Sequence, residues 1–216
     1  MLTALDSFVS DPQYAKAVRL LAQRGSPRRF RKGTILIHEG DTGDTLYIVL
    51  AGRIKVYCMD THDREITFGV FGPGEYVGEM SLDGGPRSAS VITLEPTVCA
   101  VVTRHALREF LGEYPDFAFD LLSRVILRLR LATRDARNLA FIDVYGRLTG
   151  LLNQLAVVRP DGKRWIAERI THLEIASRVG CSREMVSRIL KDLTNGGYIT
   201  LEDRRIVLIG KFPPRW

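Results

Sequence analysis

At about residue 103 the repeat of the apolar pattern changes, and that change constrains the fold more than any other feature of the 216-residue chain. From about 29 to 103, short β-prone runs alternate with glycine turns: GTILIHEG, LYIVLAGRIKVYCM, REITFGVFGPGEYVG and SASVITLEPTVCAVV. Strands this short, with turn signals this regular, predict an antiparallel barrel or roll. Gly33, Gly40, Gly43, Gly52, Gly72 and Gly74 mark its corners, where positive φ or tight reversal is needed. Beyond it the period is helical. Residues 104–111 make a short helix, and after Pro115 a long one runs to about Phe141. A further short helix with a mixed face is predicted over 12–25.

Within the long helix, about 114–142, Ala118, Leu122, Val125, Leu129, Ala132, Ala136 and Leu139 recur at alternating spacings of four and three. That is an a/d seam, the pattern of a helix packed along a twin. A second stripe of Leu121, Leu127 and Leu131 is read as facing the roll. The expectation is a homodimer paired through about 118–140; a single amphipathic helix on its own core is the competing reading. Asp143 reads as an N-cap that ends this helix and starts another, and the domain boundary is placed there, giving 1–143 and 144–216.

Charge divides at the same point. The net charge is +6; residues 144–216 hold 13 Lys and Arg against 7 Asp and Glu, while 1–143 hold 18 of each. A basic segment on a neutral body suggests a module for a polyanion. Its core is THLEIASRVGCSREMVSRILKDL, residues 171–193. Thr171 and Glu174 form a capping box, Gly180 ends the first helix, and Ser182 caps the second. Two helices joined by so short a turn make a helix-turn-helix. The second helix presents Arg183, Glu184, Ser187 and Arg188 outward. Arg can grip guanine O6 and N7, and Glu can accept from cytosine N4. GGYITLEDRRIVLIG then reads as a β-hairpin wing with Glu202–Arg204 at its tip. Arg204, Arg205 and Lys191 are placed on phosphates, which position without specifying. The candidate DNA-contact set is Ser182, Arg183, Glu184, Ser187, Arg188, Lys191 and Arg204.

The stretch VGEMSLDGGPRSAS, residues 77–90, puts an acid and a base at either end of a glycine-rich loop. It suits a small anion that also carries a hydroxyl. A guanidinium fits phosphate oxygens, a carboxylate accepts from a sugar hydroxyl, and glycine admits close backbone approach. A Glu79–Arg87 surface ion pair, worth about 0–1 kcal/mol, is the plainer alternative.

Together these parts resemble the cyclic-AMP receptor protein (catabolite activator) family of bacterial regulators. The resemblance spans nearly the whole chain and rests on GEMSLDGGPRSA, RNLAFIDVYGRL and VGCSREMVSRIL. It implies an α+β chain: an N-terminal antiparallel β-roll that binds a cyclic nucleotide, a dimerisation helix and a C-terminal winged helix-turn-helix. In that resemblance Arg87 meets the cyclic phosphate and Ser88 adds a hydroxyl bond. Backbone N–H groups around Gly78, Met80 and Ser81 face the ligand, Glu79 takes the ribose 2′-hydroxyl, and Thr133 meets the base across the dimer. It implies cyclic AMP as the allosteric ligand and double-stranded DNA with TGTGA-like half-sites as a partner. It also implies RNA polymerase as a partner, through VVRPDGKRW at 157–165. Two departures are a shorter loop between Gly-Glu and Arg-Ser, and Ala132–Thr133 where the family has Thr-Ser. The latter leaves cyclic GMP and cyclic di-GMP open as ligands, and a ligand-independent regulator is the third alternative.

Other classes fit less well. Cys58, Cys99 and Cys181 show no paired spacing, which suits a reducing cytoplasm and argues against a zinc or iron–sulfur site. His38, His62, His105 and His172 form no ligand pattern, so a metal-dependent enzyme of the cupin type is not expected and no catalytic residue is assigned. The start MLTALDSFVSDPQ lacks the basic and apolar blocks of a secretory signal, and no apolar run is long enough for a membrane span.

Overall fold

The computed structural model describes residues 3–61 and 65–213, so His62 lies outside the described residues. The chain opens with α1 (Ala4–Ser10) and α2 (Lys16–Gln23). One helix was expected over 12–25; its core survives as α2, and α1 is additional. Thr3 and Asp6 start α1 with a reciprocal capping box, and Asp11 ends it just before Pro12. Leu21 and Ala22 on α2 are fully buried, which fixes that helix against the following sheets.

Eight strands follow: β1 (Ser26–Phe30), β2 (Ile35–Ile37), β3 (Thr45–Ala51), β4 (Ile54–Met59), β5 (Glu65–Phe71), β6 (Tyr76–Val77), β7 (Ser90–Thr93) and β8 (Thr97–Thr103). They form two antiparallel sheets, ordered β1-β8-β3-β6 and β2-β7-β4-β5. This is the expected roll. Alternation places Leu46, Ile48, Ala100 and Val102 in one apolar cluster with Leu21, Tyr76 and Phe110, and Ile37, Ile54, Val77 and Val91 in another. Of the six corner glycines, Gly33, Gly40, Gly52 and Gly74 hold positive φ. Gly43 and Gly72 do not, and Gly43 is small for a different reason given below.

After β8 come α3 (Arg104–Glu113), α4 (Asp116–Phe141) and α5 (Val144–Leu155). Asp143 caps α5 by accepting from the Gly146 N–H. Then follow β9 (Ala156–Val158), β10 (Arg164–Ile166), α6 (His172–Val179), α7 (Arg183–Asn195), β11 (Ile199–Glu202) and β12 (Arg205–Leu208). The four strands form a sheet ordered β11-β12-β10-β9. Leu148, Leu152, Ile175, Val186, Leu193 and Ile199 share the core beneath α6 and α7. The chain divides into two compact units, Met1–Cys58 with Thr67–Arg128, and Met59–Ile66 with Leu129–Trp216. Among the described residues no helix is long and apolar enough to cross a membrane.

The face that α4 turns to the roll departs from expectation. Leu121 packs on the core, but Leu127 and Leu131 are exposed. The packing line is Phe117, Leu121, Arg124 and Arg128, four and three residues apart. Phe117 is buried, Arg124 stacks 4.6 Å from the Tyr76 ring centroid, and Arg128 stacks 5.0 Å from that of Phe71. An arginine stem covers apolar surface as a leucine would, so counting only apolar residues mistakes the face.

Candidate functional sites

In the first unit, the stretch 77–90 leaves β6 through Gly78, whose φ is +98°. A Cβ there would lie 2.5 Å from the Thr45 carbonyl oxygen and 2.8 Å from Arg87 Nη1. A Cβ on Gly43 would lie 2.8 Å from Arg87 Nη2. Both glycines are therefore walls against one guanidinium. That is the reason for Gly43, which a reading by turns alone assigned to a corner.

The backbone of Arg87 is pinned on both sides: its N–H donates to Asp41 O, and its carbonyl accepts from the Gly40 N–H, both at 2.9 Å. The side chain is 6% exposed. Its Nη1 donates to Ser81 Oγ at 2.8 Å and Gly78 O at 3.1 Å, and its Nη2 to Thr45 Oγ1 at 3.0 Å. All are neutral acceptors, and among the described residues no carboxylate pairs with it. A charge held out of water by dipoles alone lacks its counter-ion.

Glu79 begins a single 3-10 turn, Glu79–Ser81, and its side chain is 3% exposed. It does not pair with Arg87, so the simple surface ion pair is excluded. Its partner is Arg128 on α4, whose Nη1 donates to Glu79 Oε1 and whose Nη2 donates to Tyr76 O at 2.8 Å. The other carboxylate oxygen, Oε2, is buried with no protein partner. Ser81 is buried and positions Arg87; its own hydroxyl donates to Gly78 O at 3.2 Å. Ser88 is exposed and its hydroxyl lies 3.4 Å from Met80 Sδ. Tyr76 lies directly beneath, and burial pushes its phenol up to about 12, so it carries no charge here.

These groups line one cavity of about 360 Å³, its open mouth included. Glu79, Arg87, Ser88 and Arg128 form its polar side, and Ile37, Val56, Val77 and Val91 the apolar side. That mixture of polar and apolar lining suits a small organic ligand. Gly78, Glu79, Met80, Ser81, Arg87 and Ser88 are thus brought together as their spacing suggested, and Arg128 joins them unforeseen. Thr133 lies in the second unit, exposed on α4, with its hydroxyl donating to Leu129 O at 2.9 Å. Along the seam Leu122, Val125 and Leu129 are exposed, at 54%, 38% and 65%. The side chain of Leu139 lies outside the described residues.

In the second unit, Thr171 and Glu174 make the capping box of α6, and Gly180 ends it at φ +67°. Ser182 then caps α7, its hydroxyl accepting from the Met185 N–H at 3.2 Å. Val186, Ile189, Leu190 and Leu193 are buried. Arg183, Glu184, Arg188 and Lys191 are left exposed on the opposite side. Ser187 is half-buried, and its hydroxyl lies 2.8 Å from His172 Nδ1.

The wing turns through Asp203 and Arg204, both with positive φ, and Arg204 is exposed at the tip. Arg205 is half-buried: it stacks 4.7 Å from the Trp165 ring centroid and its Nε is buried, so part of the side chain serves the sheet. The basic turn of 157–165 is also less open than it reads. Arg159 donates to Glu202 at 2.7 Å and Lys163 at 2.9 Å. Those two bonds, Lys163 first, hold the Glu202 carboxyl below its ordinary value.

Comparison with known proteins gives two family matches along the chain. Residues 27–114 match the family described as cyclic nucleotide-binding domain, and 146–210 the Crp-like helix-turn-helix domain. The chain is 33% identical over 196 residues to a CRP-like cAMP-activated global transcriptional regulator of Mycobacterium tuberculosis, covering 89% of this chain and 88% of the relative. It is 33% identical over 189 residues to the cAMP-activated global transcriptional regulator CRP of Salmonella typhimurium, covering 84% and 89%. Among solved structures, the c-di-GMP responsive global regulator CLP of Xanthomonas campestris superposes with a TM-score of 0.79 at 29% identity, covering 90% of this chain and 99% of that one. The catabolite activator protein of Thermus thermophilus gives 0.55 at 28% identity, covering 94% and 93%.

Proposed function

The chain belongs to the CRP family of DNA-binding transcription regulators, which are not enzymes, and we propose that it is a cyclic-AMP-responsive homodimer that binds palindromic sites with TGTGA-like halves. One observation carries the ligand half of this reading: a buried Arg87 guanidinium without a carboxylate shares a cavity with an unpartnered carboxylate oxygen of Glu79. The first wants an anion and the second a hydroxyl donor, and a ribose cyclic phosphate carries both. Ser88 adds a hydroxyl bond, and the turn at Gly78, Met80 and Ser81 adds backbone N–H groups. Relatives named for cyclic AMP support the choice of base.

The solved regulator named for cyclic di-GMP favours a second reading, in which the same site takes that ligand. Thr133, on the twin helix, selects between them.

The exposed seam Leu122, Val125 and Leu129 supports pairing through about 118–140. The functional boundary falls at Asp143, where α5 begins. Nucleotide favours one geometry of the paired helices, which sets two copies of α7 one DNA turn apart. Such coupling is no larger than the difference in ligand affinity between the two states. Arg183, Glu184, Ser187 and Arg188 read bases, while Ser182, Lys191 and Arg204 hold phosphates. RNA polymerase is the second macromolecular partner, met through 157–165, and the cytoplasm is the compartment. Calorimetric titration with cyclic AMP, cyclic GMP and cyclic di-GMP tests the ligand reading. Saturable binding of cyclic AMP in preference to the others is expected, and heat from none of them overturns it.

A further inference from the structure

The bond between His172 and Ser187 crosses the helix-turn-helix on the side that α7 turns outward. His172 is the first residue of α6, and its Nδ1 lies 2.8 Å from Ser187 Oγ. At about 100° per residue, Arg183, Ser187, Lys191, Glu184 and Arg188 fall in that order across roughly 140° of α7. Ser187 therefore sits inside the reading face, and its hydroxyl is the one group there tied to a titratable ring. In such a motif the first helix crosses the DNA backbone, which puts the start of α6 beside phosphates.

A hydroxyl has one proton to give, and the ring decides where it goes. In a neutral ring with its proton on Nε2, Nδ1 accepts from the Ser187 hydroxyl. Oγ then faces outward with lone pairs only, suited to an amino group of cytosine or adenine. In the imidazolium both ring nitrogens carry protons, so Nδ1–H donates to Oγ. The Ser187 proton is released to point outward, suited to guanine O6 or N7 or thymine O4. The ring also gains a positive charge at the backbone.

We infer that His172 and Ser187 form one proton-responsive reading unit, which raises DNA affinity and changes base preference at one position of each half-site as the ring is protonated. The inference rests on the reading of α7 as the recognition helix. Charged neighbours set the background. On α7 these are Arg183, Glu184, Arg188 and Lys191. On α6 Glu174 is held by its own capping box with Thr171, and Glu168 and Arg169 lie on the segment leading in.

The test uses the full chain with saturating cyclic nucleotide and a duplex selected from a randomised pool at about pH 8. Fluorescence anisotropy then gives affinity between about pH 8 and about pH 6, the range of a histidine's charge change, for wild type, His172→Asn and Ser187→Ala. Wild type should tighten about three- to tenfold more than His172→Asn over that range, as one added charge-assisted contact would give. His38, His62 and His105 are shared by both proteins, so the difference isolates His172. On duplexes altered one base pair at a time, the preference at one position should shift with pH in wild type and stay fixed in Ser187→Ala. Equal pH slopes for wild type and His172→Asn overturn the inference, as does a pH-dependent preference that survives Ser187→Ala. If no duplex can be selected at any pH, the reading of α7 falls, and this inference with it.

Discussion

A guanidinium enclosed by neutral acceptors carries its desolvation cost without the Coulombic return that a carboxylate would give. Replacing Arg87 by Leu should therefore leave the roll folded, with a Tm within about 5 °C of wild type, because the desolvation cost of the charge is removed and no carboxylate is left without a partner. Ligand affinity should fall at least about tenfold, since the charge-assisted bonds to phosphate are lost. Calorimetry and a thermal melt on the same sample check both halves. Unchanged affinity would remove Arg87 from the site. The acid and base were legible in the sequence because one short loop carries both, with glycines beside them. Arg128 was not, because the bond to Glu79 joins residues far apart in the chain and nothing in either local sequence marks the partner. Gly43 was seen but misread: its neighbour is the Arg87 side chain, supplied by a loop distant in sequence, so its φ explains nothing.

Elements were legible where one face is apolar and a cap is local. The roll, the capping box of α6 and the glycine stop at Gly180 are of that kind. The start α1 was missed although Thr3 and Asp6 announce it, because seven residues are too few to show a period. The inner face of α4 was misassigned because two of its four contacts are arginines. The wing hides a further tie, Glu202 bonded to both Lys163 and Arg159, which joins β11 to the turn between β9 and β10. Its carboxyl lies below the ordinary value in the folded chain, so its contribution to stability is complete above the unfolded value of 4.5 and is lost as pH falls through the lowered one. Melting of wild type and Glu202→Gln from neutral pH into acid should converge below the carboxylate range, with wild type the more stable above it. Parallel curves throughout would mean that the tie contributes nothing to the fold.

For the whole molecule, the excess charge of the last third and the neutral roll describe a sensor joined to a polyanion reader, and α4 crosses from one compact unit to the other. A helix that exposes Leu122, Val125 and Leu129 along one line needs a cover, and in the proposed dimer a twin would supply the matching seam. Sedimentation at micromolar concentration should give a dimer of the 24.3 kDa chain, and Leu129→Glu should give a monomer that no longer binds a palindrome. A wild-type monomer would leave two half-sites unexplained. The sequence showed this seam but not what the second unit does with its basic turn, since the bonds of Arg159 and Lys163 to Glu202 exist only once β11 and β9 share a sheet. In the proposed mechanism, ligand in the roll controls DNA binding by α7. Its most direct test is the anisotropy of a labelled palindromic duplex titrated with protein, with and without cyclic nucleotide, for wild type and Arg87→Leu. Affinity should be at least about tenfold tighter with nucleotide for wild type, the size of an ordinary allosteric coupling, and unchanged for Arg87→Leu. Equal wild-type affinity with cyclic AMP, cyclic GMP, cyclic di-GMP and none would contradict it.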